Sequence, residues 1–153
     1  MQPLTAGQHA PPFTLPALDG SASVPDPAGR RLVVMFFQEA GTPTCTTQVL
    51  SLAQEAELLG ELGAAALFIS TDPLARLRDF AATLPAGVRL ASDGDGAVAK
   101  RYGVYDESNR RAQRAAFVVE PQGTLGLALP WYNPLNSEQL AQIFAALGLE
   151  AGA

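Results

Sequence analysis

The sequence predicts an α/β fold in which helices flank a mixed central sheet. Two observations carry this. Apolar runs of strand length, Leu32 to Phe37 and Ala64 to Thr71, alternate with stretches whose apolar residues recur every three or four positions, the pattern that gives parallel strands joined by helices. Further on, two more apolar runs flank Pro121-Gln122-Gly123, a hairpin that adds an antiparallel pair. At 153 residues, with no repeat and no dividing linker, the chain is expected to form one domain over 1–153.

Taken in order, residues 6–20 are proline-rich with alternating apolar residues, an extended edge segment that turns at Asp19-Gly20. Ser21 to Val24 pairs back as a short strand, and Pro25 to Gly29 is a loop. Leu32 to Phe37 is a continuous apolar strand, suited to a sheet covered on both faces. A helix beginning near Pro43 carries Val49, Leu52, Ala53, Ala56 and Leu59 as one stripe, closed by Gly60 and Gly63. After the second strand, Asp72-Pro73 reads as an N-cap followed by proline. Leu74, Leu77, Phe80, Ala81 and Leu84 form the inner face of the helix it opens. Val88 to Ser92 is a short strand. The acidic loop Asp93-Gly94-Asp95-Gly96 lacks the spacing and terminal glutamate of an EF-hand and is read as a turn before a short helix, Ala97 to Tyr102. A polar stretch from Asp106 to Gln113 leads into the hairpin strands Ala115 to Glu120 and Thr124 to Leu129. Trp131-Tyr132 lies in an aromatic loop, read either as packing or as a pocket wall. Asn136 or Ser137 caps a last helix facing inward through Leu140, Ile143, Phe144 and Leu147.

A formal charge of −5 argues against binding to a phosphate backbone, although Arg110, Arg111 and Arg114 form a local basic cluster. No window is apolar enough to cross a membrane, and Met1 to Thr5 lacks the basic and apolar blocks of a signal peptide. One cysteine permits no intrachain disulfide, which fits a reducing cytoplasm. Neither a metal nor an organic cofactor is expected, and His9, beside Ala10-Pro11 in a loop, reads as a surface residue.

The single cysteine is the chemical focus. Gly41 ends the central strand, Thr42 and Pro43 start a helix, and Cys45 falls at about its third position. N–H groups without helical partners gather there and the helix dipole favours negative charge, so the position favours the thiolate, the nucleophilic form. A lone cysteine is as readily a small buried apolar residue, and the residues by themselves leave both readings open.

Taken together, the residues resemble a peroxiredoxin of the AhpC/TSA family, nearest its bacterioferritin-comigratory or Q-type branch, over nearly the whole chain. The segment from Gly7 to Pro16 resembles the opening Gly-x-x-Ala-Pro-x-Phe-x-Leu of that family. Phe36 to Gln48 resembles its Pro-x-x-x-Thr-x-x-Cys loop, and Arg114 to Gly123 the strand headed by its active-site arginine. The resemblance implies a thioredoxin-like fold and reduction of hydrogen peroxide and organic hydroperoxides. It implies Cys45 as the peroxidatic nucleophile, Thr42 as a hydroxyl bonded to peroxide and thiolate, and Arg114 as the cation that favours the thiolate and steadies the breaking O–O bond. Pro43, Thr44 and Gln38 would complete the peroxide pocket. Two departures stand out. The family proline is Gln38 here, which predicts a more polar and more open site, and a resolving cysteine common in this branch is Leu50. The cycle is then a one-cysteine cycle, with the sulfenic acid reduced by thioredoxin, glutaredoxin or a low-molecular-weight thiol. A monomer or weak homodimer is expected. The alternative is a weakened scaffold acting as a peroxide sensor or binding module. A dithiol reductase is excluded, since Thr42-Pro43-Thr44-Cys45 is not Cys-x-x-Cys.

Overall fold

The computed structural model describes residues 4–149; Met1 to Pro3, part of the N-terminal stretch read above for a signal peptide, lie outside them. In chain order the elements are β1 (Phe13–Ala17), β2 (Gly20–Val24), β3 (Arg31–Phe36), α1 (Pro43–Ala53), α2 (Ala56–Glu61), β4 (Ala64–Ser70), α3 (Leu74–Ala81), β5 (Leu90–Ser92), α4 (Ala97–Arg101), β6 (Tyr105–Asp106), β7 (Arg111–Ala112), β8 (Ala115–Val119), β9 (Leu125–Leu129) and α5 (Ser137–Ala146). Seven strands form one sheet in the order β2-β1-β5-β4-β3-β8-β9. β3, β4 and β5 run parallel, as strands joined by helices do. β8 lies antiparallel on β3, and β9 antiparallel on β8.

The central position of β3 follows from its composition. Leu32 to Phe36 are all buried. Leu32, Val34 and Phe36 enter the apolar cluster shared with β1 and α4, while Val33 and Met35 enter the opposite one with α1, α3 and α5. This is the period-two alternation of a strand with both faces covered. Each fully buried Leu, Val or Phe contributes roughly 1.5–3 kcal/mol. On the first face Tyr102 packs its ring 5.3 Å from Phe117 and 5.6 Å from Phe36. Its hydroxyl donates to the Pro11 carbonyl at 2.9 Å, which pins the N-terminal segment to the end of α4. Cys45 lies on the other face.

Three local readings are corrected. The helix expected from Pro43 through Leu59 is two helices. Glu55 leaves helical geometry at φ −102°, ψ 23°, and the Gln54 and Glu55 N–H groups donate to Leu50 and Leu52 carbonyls as α1 tightens at its end. Gly60 therefore sits inside α2, and Gly63, at φ +71°, makes the turn into β4. Asp72 does not cap α3: the cap position is Pro73, and the Asp72 carboxylate is used elsewhere. The polar stretch after α4 contains a two-stranded ribbon, β6 against β7. Asn136 does cap α5, accepting from the Glu138 N–H. Asp93 is buried and accepts from the Val98 and Ala99 N–H groups, so the acidic loop serves the start of α4.

Candidate active site

β3 ends at Phe36, and the chain crosses the tip of the sheet through Gln38–Glu39–Ala40–Gly41 before α1 begins. Gly41, at φ +87°, makes the reversal that points the chain into the helix. Thr42 holds the N-cap position in extended geometry, Pro43 is the first helical residue and Cys45 the third. The first intrahelical bond runs from the Thr46 N–H to the Thr42 carbonyl. Pro43 has no N–H, and no cap side chain bonds the first turn. The amides of Thr44 and Cys45 are thus left as a pair of donors directed out of the helix start, beside the thiol.

The Thr42 hydroxyl spends its hydrogen on the Glu39 carbonyl at 3.1 Å. Its oxygen lone pairs are left to accept a hydrogen bond, and its hydrogen is not available to the Cys45 sulfur. Arg114 immediately precedes β8. Because Ala115 pairs with Phe36, the arginine stands level with the end of β3, on the rim where the Cys45 loop starts. Its Nη1 donates to Gln38 Oε1 at 2.8 Å. Arginine offers only donors, so the Gln38 amide presents its oxygen. The expectation that Gln38 opens the site meets a different arrangement, in which its side chain is bound to the arginine and the Cys45 residue is only 1% exposed. Cys45 belongs to the apolar cluster of Met35, Phe37, Ala40, Val49 and Tyr132. Pro43 and Thr44 are exposed at the surface of the first turn.

The loop is held by charge. Glu39 receives Nη1 of Arg76 and Nη1 of Arg111, each at 3.4 Å, and Arg76 Nη2 donates to the Ala40 carbonyl at 3.3 Å. A cleft of about 350 Å³ lies on this side, between Ala40, Gly41 and Thr46 and the α3 residues Arg76, Asp79 and Phe80; Cys45 does not line it.

Sequence reasoning missed Gln48 and Asp72 as parts of the site. Gln48, one turn after Cys45 on the same face of α1, is fully buried and donates from Nε2 to the Phe36 carbonyl at 2.8 Å. Its Oε1 finds no partner among the described residues. A glutamine beside the apolar stripe of Val49 and Leu52 was the available signal, since a buried amide needs a specific partner. On the loop that follows β9, Tyr132 is buried and its N–H donates to the Arg114 carbonyl, whereas Trp131 is 70% exposed. Tyr132 is therefore packing and Trp131 a surface residue beside the site. His9 is exposed and makes an isolated bridge with Thr124. Among the described residues no group of three acidic, histidine or cysteine side chains is placed to hold a metal, and no helix is long and apolar enough to cross a membrane.

Comparison with known proteins adds four findings. The model of the AhpC/TSA family matches residues 6–128. Peroxiredoxin Bcp of Escherichia coli (strain K12) is 34% identical over 132 residues, covering 82% of this chain and 85% of that protein. Among solved structures, peroxidoxin BcpB from Mycobacterium tuberculosis aligns with a TM-score of 0.81 at 23% identity, over 94% of this chain and 96% of that one. AhpC of Mycobacterium bovis aligns with the same TM-score at 20% identity, over 99% and 98%. At these identities the structural likeness establishes the fold.

Proposed function

Since this chain belongs to the AhpC/TSA family of peroxiredoxins and is a thiol-dependent peroxidase, we propose that Cys45 is the residue that meets the peroxide. The observation that carries this is the position of the only cysteine, third in α1, beside two amide donors that have no partner among the described residues and on the same rim as Arg114. Thr42 accepts the hydrogen of the attacked oxygen and fixes the peroxide in line with the sulfur. The Thr44 and Cys45 N–H groups and the Arg114 guanidinium face the negative charge that develops as the O–O bond breaks. Gln38 holds Arg114, and Pro43 and Thr44 form the outer wall. The sulfur attacks the distal oxygen, an S–O bond forms, the O–O bond breaks, and the leaving oxygen takes a proton and departs as water or alcohol. Cys45 is left as a sulfenic acid.

No second cysteine exists in the chain to resolve it. One external thiol condenses with the sulfenic acid, releasing water and forming a mixed disulfide. A second thiol attacks that disulfide, restoring Cys45 and leaving the two external sulfurs joined. The reductant is a thioredoxin, a glutaredoxin or a low-molecular-weight thiol, and the setting is the cytoplasm, with the protein a monomer or weak homodimer. Because Cys45 is 1% exposed, the bulkier thiol reductant reaches it through a local opening of the 38–44 segment, whereas peroxide reacts in the closed arrangement that Thr42 and Arg114 line.

The test is the rate of oxidation of pre-reduced protein by hydrogen peroxide, followed by stopped-flow fluorescence of Trp131, the only tryptophan. Oxidation orders of magnitude faster than that of a free thiol is expected. It should be abolished by Cys45→Ser and lowered about 10²- to 10³-fold by Arg114→Ala, the loss typical of removing one donor to a developing negative charge. A Cys45→Ser protein that still consumed peroxide would remove Cys45 from this role.

A further inference from the structure

Asp72 lies 32 residues from the loop that presents Cys45, and its local sequence reads as a helix cap. Its carboxylate caps nothing. Oδ2 accepts the Ala40 N–H at 2.8 Å and the Ser70 hydroxyl at 2.6 Å, both in the buried interior. The Asp72 N–H returns a bond to Ser70 Oγ at 3.2 Å, and the Ser92 hydroxyl donates to the Asp72 carbonyl at 2.7 Å. Ser70 and Ser92, the last residues of β4 and β5, thereby fix Asp72 from two parallel strands. Arg76 holds the next peptide unit, donating to the Ala40 carbonyl while its Nε stands 3.9 Å from Asp72 Oδ1.

The ties on the 38–42 segment are not equal. Gln38 to Arg114 is only part-buried, and the Glu39 ion pairs are long, one exposed and the other part-buried. The Asp72 bond to Ala40 is both charge-assisted and buried, and such bonds are the strong ones. It acts five residues before Cys45, upstream of the Gly41 reversal that aims the helix start.

We propose that Asp72 is the positioning residue of the peroxidatic centre, holding the Ala40 peptide so that Thr42 and the first turn of α1 meet the peroxide in line with the Cys45 sulfur. Asp72 touches neither sulfur nor substrate, and its effect passes through the loop. The inference rests on the reading of Cys45 as the nucleophile.

The experiment measures two rates on each folded protein, well below its melting temperature: oxidation of Cys45 by hydrogen peroxide, which needs the aligned pocket, and alkylation of Cys45 by iodoacetamide, which needs only access. Asp72→Ala should lower oxidation by about 10²-fold, as misplacement of a reacting group by about 1 Å does, while alkylation rises because the buried sulfur is uncovered. A residue that only supported the fold would lower the melting temperature and leave the ratio of the two rates unchanged. Asp72→Asn keeps an oxygen facing the Ala40 N–H and should restore most of the oxidation rate. Asp72→Ala that is oxidised at the parental rate overturns the proposal, as does Asp72→Asn that is as slow as Asp72→Ala. If Asp72→Ala does not fold, Ser70→Ala, which frees the carboxylate to swing, carries the test: slower oxidation with faster alkylation supports the proposal, and no change in either overturns it. A parent protein oxidised no faster than a free thiol defeats the Cys45 reading itself, whereas a fast parent with an indifferent Asp72 defeats only the positioning role.

Discussion

Replacing Gln38 by glutamate separates the stability of this site from its chemistry. In the native protein the Gln38 amide oxygen accepts from Arg114 Nη1 at 2.8 Å and leaves the guanidinium with its full charge. Gln38→Glu keeps the shape and puts a formal negative charge on the same atom. Both residues are half-buried, so the new ion pair contributes no more than about 1 kcal/mol, a rise in Tm of about 2–4 °C for a chain of this size. The chemistry should move the other way. A guanidinium paired with a carboxylate has little positive potential left for the oxygen that leaves as the O–O bond breaks. A donor in that role is worth about 2.7–4 kcal/mol, so a loss of most of its effect slows oxidation by about 10²-fold. Gln38→Ala keeps the charge and frees the arginine, and should fall between, about tenfold slower than the parent for a loss of about 1.4 kcal/mol of positioning. The assay is stopped-flow Trp131 fluorescence against hydrogen peroxide, with thermal melts on the same samples and Arg114→Ala as the floor. Gln38→Glu protein oxidised as fast as the parent would refute the reasoning, because it would mean that the charge of Arg114 is not felt at the sulfur.

Two further outcomes follow from the fold around the site. Burial raises the pKa of Tyr102 above its ordinary value, with Arg101 opposing in part; the folded phenol stays neutral where the unfolded one ionises, near pH 10. Its contribution to stability is complete below that pH and is lost as pH rises through the folded pKa. Tyr102→Phe should therefore cost about 1 kcal/mol at pH 7, from the bond to Pro11, and the deficit should shrink in urea melts above pH 10; an equal deficit at pH 8 and pH 11 would contradict this. Gly96 adopts φ +73°, and a Cβ there would clash with the Tyr105 ring, so Gly96→Ala should destabilise by about 2 kcal/mol and lower Tm by about 4–8 °C. A melt within one degree of the parent would show that the ring swings aside freely.

What was legible in the sequence is what local pattern controls. β3 shows itself because five consecutive residues are buried on alternating faces, and the β8–β9 pair because Pro121-Gln122-Gly123 marks the turn between two apolar runs. The start of α1 is legible because Thr42-Pro43 states it twice, by cap position and by a residue that cannot sit deeper in a helix. The break between α1 and α2 is not, since Gln54-Glu55 contains neither glycine nor proline and the apolar stripe runs on through it. The β6–β7 ribbon escapes for a related reason. Two-residue strands made of Tyr105-Asp106 and Arg111-Ala112 show no alternation to detect.

The site divides along the same line, and the division explains why the sequence does not show the partner of Gln38. Cys45, Thr42 and Pro43 are arranged by one helix start, so four neighbouring residues suffice to place them. Gln38, Gln48 and Asp72 take their meaning from partners 76, 12 and 32 residues away. Considered alone, a glutamine in place of proline is a polar, flexible substitute that loosens a pocket. Placed against Arg114 it becomes an anchor, because β8 returns antiparallel to β3 and sets the arginine level with the strand end. Asp72 is the sharper case. An aspartate before a proline is a good local cap, yet the strands ending in Ser70 and Ser92 turn its carboxylate toward the Ala40 peptide instead. The helix start that presents Cys45 was thus visible in the sequence, whereas the contacts that hold the loop before it belong to the sheet topology.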